Sequence, residues 1–279
     1  PDPTQEPTPV FIEDLRRRYP TEREIDPVLT RKMRTRADAP YAPVTFDAMI
    51  GHIEQLLRRE LTRPFAILNP CWMTGGSSKL QMRFDLDWHG SDGLGERRVT
   101  PMVLRMSPAE SFVETSRRRE FEIIRALSGH IPVPVCYWED EDGTIFPYPV
   151  LIFGFADGVS KPASDNSQQV TGLGINYGPR LRPLVTRSFM AGLSAFHTAD
   201  VAALALPSFD LPHVGTNEGI LKQVNMWRRI WEEDRGEEEP LVQLAAHWLT
   251  GHAPVLDHAS IIHGDWRSGN FLISEDDGP

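Results

Sequence analysis

Between Leu80 and Asp87 the chain alternates without a break. Leu80, Met82, Phe84 and Leu86 are apolar, and Gln81, Arg83, Asp85 and Asp87 stand between them. Side chains of a strand point to opposite faces in turn, so a period of two predicts a half-buried strand and excludes an amphipathic helix. A single strand cannot satisfy its own backbone, and the flanking sequence offers partners. Residues 65–68 are apolar, and a turn around Gly75 and Gly76 precedes the alternation. A Gly-rich turn over 89–95 leads to Met102, Val103 and Leu104, a strand that ends at Arg105. Residues 133–138 and 149–155 read as two more strands around an acidic turn. Between these groups, residues 109–127 read as a helix with Phe121, Ile124 and Leu127 facing the core.

The later part of the chain has the helical period. Val185, Phe189, Leu193 and Phe196 share one face; Ile220, Val224, Trp227 and Trp231 share a second; Leu241, Leu244 and Trp248 share a third. Strands gathered first and helices after them predict an α+β protein with two lobes. A polar, Gly- and Ser-rich stretch follows Ala156-Asp157-Gly158 and marks the boundary. The expected divisions are an N-terminal extension over 1–45, a sheet lobe over 46–157 and a helical lobe over 158–279. Within the extension, residues 1–9 read as an arm, and short apolar spots among arginines over 10–40 predict one or two short helices. Thr45 is placed to cap a helix that starts at Phe46 and turns Met49, Ile50, Ile53 and Leu57 inward. The acidic runs 232–234 and 237–239 read as a solvated helix end and a loop, and tryptophans 227, 231 and 248 as core.

The formal net charge of −10 argues against a nucleic-acid partner, which normally meets a basic face. Acidity of this size is compatible with a cationic substrate, but simple solubility is the stronger reading. Cys71 and Cys136 stand beside apolar or aromatic residues and read as buried thiols, not as a disulfide or metal site. The most apolar stretch, 189–206, contains His197, Thr198 and Asp200, which excludes a membrane span there. The expectation is a soluble protein of a reducing compartment, the cytoplasm. Lys32, Lys79, Lys161 and Lys222 are all the lysines of the chain.

The residues that carry chemistry come late. Ser260-Ile261-Ile262 leads into His263-Gly264-Asp265, and Asn270 precedes Phe271-Leu272-Ile273. The pattern His-x-Asp-x-x-x-x-Asn between two apolar strands has the spacing of a kinase catalytic loop. Phosphoryl transfer needs an oriented hydroxyl, a carboxylate to receive its proton, and cationic charge on the phosphates. One loop pinned by a strand at each end can aim a carboxylate and an amide oxygen at the same nucleotide. An ordinary polar turn between strands is the plainer reading of the same residues.

This loop resembles the signature of the aminoglycoside phosphotransferase and choline kinase superfamily. Gly75-Gly76-Ser77-Ser78, Val103-Leu104-Arg105, the helix around Glu120, the 193–197 segment and the Trp-containing region 223–248 follow in the family's order, so the resemblance spans about residues 46–273. It is nearest to a bacterial subgroup similar to the kinase-like domain fused to some acyl-CoA dehydrogenases. The resemblance implies a protein-kinase-like fold with a nucleotide-binding N-terminal lobe. It implies Asp265 as base, Asn270 as Mg2+ ligand, and Arg267 as a cation near the transferring phosphate. Gly75, Gly76, Ser77 and Ser78 would cradle phosphates of ATP or GTP. Arg105 would stand where the family usually carries lysine, with Lys79 as the fallback, and Glu120 would orient it, with Glu114 and Glu122 as rivals. Arg105 could equally be a strand-end cation reaching solvent, and Arg117 could claim Glu120 by its helical spacing. The adenine ring would lie along 152–156, which carries Phe153 and Phe155, held there by backbone groups. His263 reads as a loop-stabilising residue and His197 as a packed helix residue.

The family also needs a second metal carboxylate on the strand after the loop, and Asp276 and Asp277 read as turn residues instead. With no Met at position 1, the expectation is a fragment of a longer protein. The implied activity is Mg2+- and ATP-dependent phosphorylation of a small-molecule hydroxyl. Hydroxyacyl thioesters or hydroxy acids come first as acceptors, then antibiotics, then amino alcohols, with no nucleic-acid or membrane partner. The pocket is expected between the lobes, near 158–180 and the Trp-containing helices. The alternative is a nucleotide-binding regulator of kinase shape that transfers nothing. A hydrolase finds neither a Gly-x-Ser-x-Gly elbow nor a His/Cys metal cluster in this sequence.

Overall fold

The computed structural model describes residues 6–37, 44–73, 80–90, 95–107, 115–158, 177–267 and 270–274. Helix α1 (Pro9–Arg18) begins where the Thr8 hydroxyl accepts the Phe11 amide at 3.2 Å and Pro9 supplies a first-turn φ. Helix α2 (Ile25–Ala37) follows, and Ile12, Leu15, Tyr19 and Met33 pack the two together. The arginine-rich extension therefore holds two short helices. Helix α3 (Phe46–Glu60) is capped by Thr45, whose hydroxyl accepts the Ala48 amide at 3.3 Å. Its Met49, Ile53, Leu56 and Leu57 are fully buried.

Five strands and one helix follow: β1 (Ala66–Trp72), β2 (Leu80–Trp88), β3 (Arg98–Met106), α4 (Arg117–Leu127), β4 (Cys136–Asp140) and β5 (Val150–Gly154). The strands form one antiparallel sheet in the order β1-β2-β3-β5-β4. Alternation fixes what each face carries. Met82, Phe84, Leu86 and Trp88 of β2, Met102, Leu104 and Met106 of β3, and Val150 and Ile152 of β5 meet the inner face of α3 and Phe146 in one apolar core. The opposite face carries Arg83, Val103, Arg105, Leu151 and Phe153, and α4 packs there against β4 and β5.

Several predicted boundaries move, β1 and β3 are longer than expected, and neither strand expected beside the His263–Asn270 loop forms among the described residues. The helix expected over 109–127 begins only at Arg117, because the Ser116 hydroxyl accepts the Arg119 amide at 3.2 Å and caps it there. β4 starts later than expected, past Pro134, which has no N–H for a ladder. It also runs on through Glu139 and Asp140, read above as turn residues. Asp140 ends the strand by turning its carboxylate onto the amides of Thr144, Ile145 and Phe146 at 3.1, 2.9 and 2.9 Å. Cys71, expected to be buried, is exposed, because β1 is the edge strand and pairs with β2 alone. Cys136 is buried, and burial pushes its thiol up to about 12, which leaves it unreactive.

The later part is helical: α5 (Gly178–His197), a 3-10 turn at Val201–Ala203, α6 (Glu218–Asp234) and α7 (Pro240–Gly251). Helices α6 and α7 pack through Val224, Trp231, Val242 and Ala246, which line a groove of about 310 Å³. Periodicity identified the faces of these helices but not what covers them. Trp227 and Trp248, expected in the core, are 55% and 57% exposed, and Leu241 and Leu244 also face outward. The opposite error occurs at the end of α6, where Glu232 and Glu233, read as solvated, are buried beneath α1 and α2. Among the described residues no helix is long and apolar enough to cross a membrane.

Candidate functional site

The loop from His263 to Asn270 organises itself around one carboxylate. Asn270 Nδ2 donates to the Asp265 carbonyl at 2.9 Å and to Asp265 Oδ2 at 2.7 Å. Arg267 Nε donates to both carboxylate oxygens, at 3.0 and 3.1 Å. His263 Nδ1 accepts the Asp265 amide at 3.2 Å, which places the ring's proton on Nε2 when it is neutral. These bonds, first Asn270 and then Arg267, hold the exposed Asp265 carboxyl below its ordinary pKa, so it is ionised at neutral pH. The Asn270 amide spends its nitrogen on Asp265, so its oxygen faces the other way.

Aromatic packing sets the loop on the helical lobe. The Trp266 indole N–H donates to the Phe189 carbonyl at 3.3 Å, and its ring lies on Gly192, where a Cβ would come within 3.2 Å of it. A side chain there would push the indole by a few tenths of an ångström. Phe271 packs against Phe189 with ring centroids 5.5 Å apart, and His263 against Trp266 at 5.2 Å. His197 is exposed rather than packed, with its ring beside Phe196. The inter-lobe connection closes onto the same segment. Gly158 has φ +146°, and a Cβ there would meet the Leu272 Cβ at 3.0 Å and the Ile273 carbonyl at 3.1 Å.

The second cluster lies on the α4 face of the sheet. Arg105 of β3 forms an ion pair with Glu120 of α4, and Glu120 turns its other oxygen to Arg117. Both readings of Glu120 are therefore realised at once. The Arg105 guanidinium sits 5.6 Å from the centre of the Phe153 ring. Burial draws Arg105 below its ordinary pKa, yet an arginine keeps its charge. Its Nε is buried and without a hydrogen-bond partner, a donor suited to an anion. Of the rivals, Glu122 is engaged elsewhere, accepting the Ser208 amide at 2.9 Å and hydroxyl at 2.5 Å. Gly75, Gly76, Ser77, Ser78, Lys79, Glu114, Asp276 and Asp277 lie outside the described residues, as does most of the 158–180 stretch.

Two backbone amides of the connection are already spent. Gly154 N–H donates to the Val135 carbonyl at 2.8 Å and Phe155 N–H to the Pro101 carbonyl at 2.9 Å. The Phe155 side chain meets a cation, since Arg83 of β2 lies over its ring at 4.3 Å. Arg83 escaped the sequence reading because the polar positions of β2 were assigned to solvent. The available signal was its register, since Arg83 pairs with Val103, two residues before Arg105 on the same face.

The structure thus brings Asp265, Arg267 and Asn270 together, and separately Arg105, Glu120, Phe153, Phe155 and Arg83. Among the described residues no three His, Cys, Asp or Glu side chains gather to hold a metal. The set fits Mg2+ through the Asn270 oxygen, because Mg2+ characteristically keeps several waters and takes further ligands from phosphates.

The phosphotransferase enzyme family (APH) has a sequence model that matches residues 90–279. The chain is 25% identical over 175 residues to acyl-CoA dehydrogenase family member 10 of Mus musculus, covering 62% of this chain and 15% of that protein. It is 26% identical over 189 residues to probable acyl-CoA dehydrogenase IBR3 of Arabidopsis thaliana, covering 62% and 21%. This chain therefore spans under a quarter of the length of either relative. A solved structure of a protein titled an aminoglycoside phosphotransferase from Ralstonia eutropha superposes with a TM-score of 0.49 at 22% identity, covering 80% of this chain and 60% of that one.

Proposed function

Since the chain belongs to the phosphotransferase enzyme family, we propose that it moves the terminal phosphoryl group of a nucleoside triphosphate, ATP first, onto a hydroxyl of a small molecule. The observation that carries this reading is the Asp265 carboxylate, held ionised and oriented by Asn270 and Arg267 within one loop. Such a carboxylate aligns the acceptor O–H and receives its proton as the new P–O bond forms and the bond to the leaving diphosphate breaks. A low pKa suits a late proton transfer, since the transition state needs little help from a strong base. Arg267, beside the carboxylate, is placed to offset charge on the transferring group. Asn270 would hold Mg2+ through its amide oxygen, and the bound ion would neutralise phosphate charge. Arg105, steadied by Glu120, would fork onto phosphates with the Nε that has no partner. Phe153, Phe155 and Arg83 would form the wall beside the base.

For the acceptor, the two relatives carry acyl-CoA dehydrogenase in their names, which favours a hydroxyacyl thioester or hydroxy acid over antibiotics and amino alcohols. A cytoplasmic location, and the absence of nucleic-acid and membrane partners, belong to the same proposal.

The test is Mg-ATP-dependent ADP release by the full-length protein across those acceptor classes, beside Asp265→Asn. The expected result is acceptor-dependent turnover that falls about 10²- to 10⁴-fold in the variant, with Mg-ATP binding retained. Binding without turnover for every acceptor would move the reading to a silent regulator. No Mg-ATP binding at all would overturn it.

A further inference from the structure

We propose that Glu22, in the turn between α1 and α2, is a positioning residue for the Arg105–Glu120 pair. It acts by clamping α4 to the helical lobe, and the inference rests on the phosphotransferase reading above.

Successive helix residues are 100° apart around the axis. Glu120 faces the sheet and Arg105, and Arg119, about a quarter turn round the helix, meets the N-terminal extension. There Arg119 binds the Glu22 carboxylate, and both side chains are nearly seven-eighths buried (12% and 13% exposed). The other Glu22 oxygen accepts Gln223 Nε2 of α6 at 2.9 Å. One carboxylate thus joins the helix that carries Glu120 to a helix of the other lobe.

Neighbours of Glu22 repeat the pattern. The Pro20 carbonyl accepts Asn225 of α6 at 3.0 Å, and the Arg23 amide donates to Asp210 at 3.0 Å. Glu24 accepts the Ser116 hydroxyl, the cap of α4, at 3.0 Å. Buried Glu141 accepts the first amides of α4, from Arg117 and from Arg118, the latter at 3.2 Å, and takes Arg31 of α2 at 2.7 Å. The N-terminal turn of α4 is therefore held by directional polar bonds, most of them to carboxylates. α4 packs mainly against β4 and less against β5, and the polar bonds above fix where its first turn lies. Where α4 sits decides whether Glu120 reaches Arg105, and so whether Arg105 is held for an anion.

The experiment uses the full chain and two measurements. Amide exchange across residues 117–127 needs no nucleotide. Glu22→Ala should speed exchange in the first turn of α4 and leave α3 and β2 unchanged. Mg-ATP binding by calorimetry should weaken between about two- and thirtyfold. In a Glu120→Gln background the same change should weaken binding no further, because the clamp has nothing left to position. Arg119→Ala, approached from the other side, should weaken binding at least as much, since Arg119 also donates to the Ser208 carbonyl and lies over Phe209, and adding Glu22→Ala to it should weaken binding no further.

A lower melting temperature with unchanged Mg-ATP affinity would overturn the proposal. So would a loss of affinity that persists in the Glu120→Gln background. If the wild-type protein binds no Mg-ATP, the functional reading falls. Exchange across α4 then still decides the clamp: unchanged exchange in Glu22→Ala overturns it and faster exchange upholds it.

Discussion

The core under α3 and the seam beneath α1 and α2 are both buried, and they are built from opposite materials. Under α3, Phe84, Met82, Leu104 and Ile152 are fully buried and carry no charge. In the seam, Arg229 and Glu233 are fully buried and bonded to each other at 3.0 Å. Arg229 also reaches Asp26 of α2 at 2.5 Å, and Lys32 reaches Asp234 at 2.5 Å. Apolar burial supplies most of the driving force but is indifferent to direction. An ion pair contributes little net energy once desolvation is counted, yet it fixes which atom faces which. The difference teaches that the sheet core makes the lobe fold, whereas the seam sets how α4 and the extension sit on the helical lobe.

Removing a core residue tests the first half of that contrast. Phe84→Ala leaves a cavity in a closed apolar site and should cost about 3–5 kcal/mol in urea unfolding. A cost below about 1 kcal/mol would mean the core is not tightly packed. Arg229→Ala tests the seam, since it leaves buried Glu233 without its bonded cation, while Asp26 keeps Arg16. The expected cost is roughly 3 kcal/mol, at the low end for a broken buried pair because Glu233 can take up a proton. It should shrink clearly when Glu233→Gln is added, whereas no second substitution of a charge should rescue Phe84→Ala.

The smallest effect is one of pH. Burial pushes Glu233 up to about 7, against the pull of Arg229. The folded protein therefore keeps a proton that the unfolded chain releases above about 4.3. Stability from this group is greatest below that pH, is lost progressively as pH rises to about 7, and is flat beyond it. Unfolding free energies between pH 5 and 8 should show this downward slope in the wild type, and Glu233→Gln should lack it. Equal slopes in the two proteins would show Glu233 to be ionised across that range.

Much of the sheet lobe was legible because its signals are local. The alternation of β2 named the core face, and Thr45 capped α3 as its position implied. The Asp265–Asn270 bond spans five residues of one loop, so spacing alone brought the two side chains within reach. The end of α6 was not legible. Glu232 and Glu233 read as solvent-facing because acidic runs usually are, and only the α1–α2 pair laid over them makes them buried. Arg83 was passed over for a related reason, since a polar position in an alternating strand says nothing about which aromatic ring will come to lie beneath it.

The amino-acid sequence by itself determined the periods, the cap at Thr45 and the spacing of the Asp265–Asn270 loop, since these depend on residues a few positions apart whose geometry the backbone dictates. Only the tertiary structure decided that Glu22 meets Arg119, 97 residues away, and that Arg105 meets Glu120 on one face of the sheet. A charged side chain looks the same in the sequence whether it ends in solvent or in a seam, and its partner is chosen by how apolar surfaces pack around it.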